Sequence, residues 1–193
     1  MNKKILLFIL STLLIFSVSA QNEEDNNKKF DSIYFYVATT LIAKDINKAF
    51  EVSDSLYRTS ASNLHTIKSL MLLSSLYQQT GKPDQAIIKA SEAEKIAEKI
   101  KLYEWQARIS GFLSTQYRNI GIIETGKIYL DKGLKASKNI TNEPQKNLYS
   151  GMVNQEVAYY HLWKKEPDKA LKSAKLADEY FQKLPENPQK DYF

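Results

Sequence analysis

Lys82-Pro83-Asp84-Gln85-Ala86 and Glu166-Pro167-Asp168-Lys169-Ala170 are two versions of one helix start, 84 residues apart in a chain of 193. Proline suits the first turn of a helix, where its missing N–H costs little and its fixed φ is already helical. The aspartate after it places a carboxylate at the positive end of the helix dipole. After the first start, Ala86, Ala90, Ala93 and Ala97 fall on one helical face and the segment ends at Ile100. After the second, Ala170, Ala174, Ala177 and Phe181 do the same, ending at Leu184. Halfway between, Gly126, Leu130, Gly133, Ser137 and Ile140 repeat the small-residue spacing. An internal period of this size predicts an all-α fold, a stack of antiparallel helix pairs forming an α-solenoid.

Aligned on the small residue of the second helix (Ala49, Ala86, Gly126, Ala170), the units are 37, 40 and 44 residues apart. Four pairs are predicted, over Phe30–Ser60, Asn63–Leu102, Tyr103–Ile140 and Asn147–Leu184. Small residues recur at these positions because two helices approach closely only where no bulky side chain intervenes. Breaks are expected near Ser60–Asn63, Gly81-Lys82-Pro83, Gly121, Asn139–Pro144, Lys165–Pro167 and Pro185–Pro188. Six glycines and five prolines in the whole chain agree with a mostly helical content.

The first twenty residues are of another kind. Lys3 and Lys4 precede an apolar run from Ile5 to Phe16, and Val18-Ser19-Ala20 supplies small residues for cleavage, the layout of a secretory signal peptide. The apolar run falls short of the ~20 residues that span a bilayer. The expected organisation is a signal peptide over 1–20, a flexible polar leader over 21–29, the solenoid over 30–184 and a tail over 185–193. The product is expected to be exported, periplasmic or secreted, with no membrane insertion once the signal is removed. With no cysteine in the chain, no disulfide framework supports it and helix packing must do so alone. Loss of Lys3 and Lys4 with the signal lowers the net charge from +5 to near +3. Mixed charges such as Glu92-Ala93-Glu94-Lys95 read as a solvated face, and no nucleic acid is expected as a partner of this chain.

The units resemble tetratricopeptide (TPR) repeats, which want a large residue, Leu-Gly, Tyr, then Ala, an aromatic and Ala at fixed spacing. The second unit has Leu70, Leu73-Ser74, Tyr77, Gly81, Ala86, Ala90 and Ala93. The third has Leu113-Ser114, Tyr117, Gly121, Gly126, Leu130 and Gly133, and the fourth has Val157-Ala158, His161, Ala170, Ala174 and Ala177. The first is the poorest, with Ile33, Tyr36-Val37, Ala49 and Leu56. The repeats depart from the pattern in lacking Trp at the first large position and the closing Pro. A narrower stretch, Tyr103 to Arg118, looks like the exported TPR region of Bacteroidetes-type helix-turn-helix transcriptional regulators. That resemblance implies, as an alternative role, the sensory portion of a membrane-spanning regulator, stand-alone or truncated.

The inventory for catalysis is nearly empty. His65 and His161 are the only histidines, and no HExxH, CxxC, GxSxG, P-loop or GxGxxG pattern is present. His161 falls at the repeat's Tyr position and reads as a core-edge histidine, while His65, at a helix start, reads as a surface residue. No enzyme activity, cofactor or metal is expected. The resemblance instead implies a concave groove lined by the first helix of each pair. Carried onto this chain, the second unit would contribute Lys68, Met71, Ser75, Gln78 and Gln79. The third would contribute Arg108, Gly111, Thr115, Arg118 and Asn119, and the fourth Met152, Gln155, Tyr159, Leu162 and Trp163. Arg, Tyr, Trp and Met are residue types that anchor bound peptides, so a protein or peptide ligand is the expected partner. The outer face of the last helix, with Leu171, Leu176, Tyr180 and Phe181, is an expected site of end-to-end self-association.

Overall fold

The computed structural model describes residues 24–185. The predicted signal peptide, the first residues of the leader and residues 186–193 lie outside the described residues. Eight helices make up the rest: α1 (24–44), α2 (Ile46–Arg58), α3 (Asn63–Gln79), α4 (Pro83–Lys99), α5 (Tyr103–Asn119), α6 (Ile123–Lys138), α7 (Glu143–Trp163) and α8 (Pro167–Phe181). There is no strand among the described residues. The helices pair in chain order into four antiparallel units, the solenoid that the repeat spacing predicts. One boundary differs. Residues 24–29, expected as leader, continue α1, where Glu24 and Lys28 form an i,i+4 pair at 2.7 Å along its exposed side.

The helix ends follow from the local sequence. Pro83 and Pro167 are the first residues of α4 and α8. The side chains of Asp45, Ser62 and Asn142 accept from the backbone N–H groups of Lys48, His65 and Gln145, capping α2, α3 and α7. Four helices close on a left-handed residue, at Gly81, Gly121, Lys101 and Lys165. Each forms the same pair of bonds, as where Lys82 N–H reaches the Tyr77 carbonyl and Gly81 N–H the Gln78 carbonyl. Glycine adopts that conformation freely, whereas a residue with a Cβ is strained there by about 1–2 kcal/mol. Lys165→Gly is therefore expected to stabilise the fold by about 0.5–1 kcal/mol after the entropy of a freer unfolded chain is subtracted. A urea melt showing no gain would mean that strain is absent from this turn.

Within each pair the crossing is close. Ser74 Oγ donates to the Ala86 carbonyl at 2.6 Å, so a side chain of α3 reaches the backbone of α4. One unit later, a Cβ on Gly126 would lie 3.1 Å from the Ser114 carbonyl oxygen. Ala158 and Ala170, both buried, make the third version. Between pairs, Ala90, Ala93 and Ala97 of α4 pack with Ile67 and Leu70 of α3 and with Trp105, Ile109 and Leu113 of α5. Ala136 and Ile140 meet Ala107 of α5 and Tyr149 and Val153 of α7 in the same way. The core is therefore a strip running across the unit borders, and each unit depends on its neighbours. Ion pairs also cross those borders: Asp31–Lys68 at 2.6 Å, Glu94–Lys132 at 3.0 Å and Arg118–Glu156 at 3.1 Å.

Candidate functional site

The four first helices, α1, α3, α5 and α7, line one groove of about 430 Å³. Its walls repeat with the units. Tyr34, Met71, Gly111 and Gln155 share one repeat position, and Ala38, Ser75 and Thr115 share the next. Ile42, Met71, Leu72, Phe112, Met152 and Val153 make most of the surface apolar, while Ser75, Gln79, Thr115 and Gln155 supply neutral hydrogen-bonding groups. Arg108 and Glu156 are the two charged residues in the lining. A mainly apolar concavity with a few convergent polar groups is the usual make-up of a ligand site.

The three cations expected in the groove are in different electrostatic states. Lys68 is engaged by Asp31 at 2.6 Å and lies 5.6 Å from the Tyr34 ring centre. Arg118 pairs with Glu156 at 3.1 Å and stacks over Tyr159 at 5.2 Å. Arg108 stacks on Trp105 at 4.8 Å with its charge near the Tyr149 phenol, and no carboxylate among the described residues lies within ion-pair distance of it. Arg108 is thus the groove cation whose charge is not already matched by an acid. Burial raises the Tyr149 phenol, an effect that the Arg108 charge opposes.

Burial also pushes the Glu156 carboxyl above its usual range, and the neighbouring Thr115 hydroxyl and the Arg118 charge oppose that shift without cancelling it. A raised carboxyl takes its proton at a higher pH in the folded chain than in the unfolded one. Its contribution to stability is fully present below the unfolded value and is lost as pH rises through the folded one. Glu156→Gln keeps an acceptor for Arg118 and removes a charge that is costly to desolvate. It is expected to melt at least as high as wild type at pH 7 and to lose that advantage toward pH 4. A deficit that is larger at pH 7 than at pH 4 would contradict this assignment.

Of the residues expected in the groove, Met71, Ser75, Gln79, Arg108, Gly111, Thr115, Met152 and Gln155 line it together. Lys68 and Arg118 hold partners beside it, and Gln78 and Asn119 are exposed in the last turns of α3 and α5. Tyr159 and Leu162 belong to a second recess against α8, and Trp163 stands exposed at the end of α7. Tyr34, Ala38 and Ile42 of α1 were not expected. They occupy the repeat positions of Met71, Ser75 and Gln79 one unit earlier, so carrying the alignment into the weak first unit finds them. Tyr149, Phe112 and Glu156 lie off the expected positions and follow only from the packing of the helices.

His65 corrects an expectation. It is buried rather than on the surface, its ring stacked on Phe30 of the preceding unit at 3.8 Å, and burial lowers its basicity. His161 Nδ1 meets Glu166 Oε2 at 2.7 Å at the edge of the fold, so its polar atom has a partner as the core-edge reading requires. Among the described residues there is no group of three His, Cys, Asp or Glu able to hold a metal ion. No helix among them is long and apolar enough to cross a membrane.

No protein-family model matches the chain, and no curated protein matches its sequence. Among solved structures it is similar to BtubC (BKLC) from P. vanneervenii, with a TM-score of 0.69 and 18% identity over 98% of this chain and 78% of that one. At that identity the likeness speaks to the helical-repeat fold alone. MamA, at 16% identity over 73% of this chain and 91% of that one, gives a TM-score of only 0.34, too low to bear on the fold.

Proposed function

We propose that this chain is a non-enzymatic interaction module that binds a peptide segment of a protein partner in its concave groove. The observation behind this reading is that repeat-equivalent residues of all four first helices meet in one apolar groove of about 430 Å³, a size in the range of ligand sites. Its apolar walls suit the large side chains of a peptide, and Arg108 is placed to receive an acidic group. The signal-like segment 1–20 supports export, so the partner would be met in the periplasm or outside the cell. The test is selection from a displayed library of random peptides on the mature protein, followed by titration of a selected peptide. Arg108→Ala is expected to weaken binding by about tenfold, as loss of one charge-assisted contact does. Arg118→Ala is a poorer probe, since it strips Glu156 of its partner. Selected peptides that bind the Arg108→Ala protein as tightly as wild type would remove the groove assignment.

The Tyr103–Arg118 resemblance favours a second reading, the sensory portion of a membrane-spanning transcriptional regulator. A reading frame that continues downstream into a hydrophobic run of ~20 residues and a helix-turn-helix would support it. A stop followed by an unrelated gene would count against it.

A further inference from the structure

A second groove, of about 360 Å³, lies between α7 and α8, with Tyr159, Leu162, Ala170, Leu171 and Ala174 in its lining. In the two preceding units the same groove holds the next first helix: α5 packs on α3 and α4, and α7 on α5 and α6. No described helix follows α8 or precedes α1. Each end of the stack therefore shows one half of a seam whose other half is at the opposite end.

The two halves carry matching residue types. Tyr159, Leu162 and Leu171 are the counterparts of Thr115, Arg118 and Lys127 one unit earlier. A solenoid end that meets only water needs a polar outer face. Here the order is reversed, and Leu162 and Leu171 are each 56% exposed. On α1, Phe35 and Tyr36 are each 48% exposed. Their counterparts are Leu72 and Leu73 in α3 and Phe112 and Leu113 in α5, on the side that meets the preceding unit. Leu72 is buried among residues of α1 and α2, and Leu113 is buried with Ala90 and Ala93 of α4.

The seam between the third and fourth units gives the register. There Arg118 pairs with Glu156 at 3.1 Å. Leu162 is the counterpart of Arg118 at the tail, and Phe35 that of Glu156 at the head, so repeating the seam brings two apolar side chains together. The same step carries Tyr36, counterpart of Leu113, to Ala174, counterpart of Ala90 and part of the groove. A further position is complementary in the opposite sense. His65, Trp105 and Tyr149 give each arriving helix a buried ring, whereas α1 has the exposed Lys28 there. The tail supplies its own ring: Phe181 turns inward over Gly151, where a Cβ would stand 2.5 Å from it. Gly151 is the counterpart of Ala107, which clusters with Tyr149.

We propose that this chain associates head to tail with a second copy, Phe35 and Tyr36 of one entering the groove between α7 and α8 of the other. Such a contact joins unlike faces and leaves a head and a tail free, so it propagates into longer rows unless the rotation closes a ring. The inference does not depend on what the concave groove binds.

Sedimentation velocity between about 10 µM and about 1 mM reads the association. Wild type is expected to rise in mass with concentration. Phe35→Glu blocks the head and Leu162→Glu the tail, and each alone is expected to stay a monomer. Their equimolar mixture is expected to form a one-to-one dimer, because one intact head and one intact tail remain. A monomeric wild type overturns the proposal and leaves the groove to a different protein. A single variant that associates as wild type does also overturns it, since like ends would then be joining. Should a glutamate variant fail to fold, cysteines decide in a chain that has none. Under mild oxidation, mixed Phe35→Cys and Leu162→Cys proteins are expected to form the mixed dimer at least about tenfold faster than either forms its own, because disulfides join only side chains that face each other. Equal rates overturn the proposal.

Discussion

Gly126→Leu is expected to destabilise the protein by about 2–3 kcal/mol net, in spite of a helix-propensity gain of about 1 kcal/mol from removing a mid-helix glycine. A Cβ at Gly126 would stand 3.1 Å from the Ser114 carbonyl oxygen and 3.6 Å from the Arg118 amide nitrogen. Both are backbone atoms of α5, so no rotamer change relieves the contact and α6 must move away as a whole. That movement opens the next seam as well, because Gly133 of the same helix lies against Val153 of α7 and Ser110 of α5. Ala86→Leu is expected to follow, since Ala86 is fully buried and its carbonyl is held by Ser74. Ala170→Leu is expected to cost least, because α8 packs against α7 and supports no further described helix. Thermal melts followed by circular dichroism rank the three. If all three melt like wild type, these positions are not helix contacts and the repeat register is wrong.

The positions that set this order were legible in the sequence because close helix approach restricts residue type. Only a small side chain fits at Ala86, Gly126 and Ala170, and the restriction returns once per unit. Gly81 and Gly121 were legible for a related reason, since a left-handed cap favours glycine. Lys101 and Lys165 adopt the same conformation and carry no such mark, so the turn at Lys101 showed only as the border between two units. The groove was legible in its middle. Met71, Arg108, Gly111, Thr115 and Gln155 meet there, whereas Gln78 and Asn119, in the last helical turns, run past it to the edge. His65 was misplaced because its burial depends on Phe30, 35 residues earlier in another unit. A helix start looks exposed when read locally, and nothing in the period says which ring the preceding unit lays over it.

Gly111→Trp is expected to abolish groove binding, with a loss of at least about 100-fold in affinity for a selected peptide, or about 2.7 kcal/mol. Gly111 is the counterpart of Tyr34, Met71 and Gln155 on the groove wall, and a Cβ built on it meets nothing within 4 Å. The site can therefore accept a side chain without moving any backbone, unlike Gly126 in the next helix. An indole at the centre of α5 would occupy the space between Met71 and Met152 that a ligand side chain must enter. Stability should hold or rise, because a glycine leaves the interior of a helix. The two glycine variants thus separate fold from function: one is expected to lose stability through a packed seam, the other to lose binding at a melting temperature no lower than that of wild type. Isothermal titration and a melt on the same preparation measure both quantities. Undiminished affinity in a folded Gly111→Trp protein would show that the ligand does not enter the concave groove, and would leave the solenoid itself untouched.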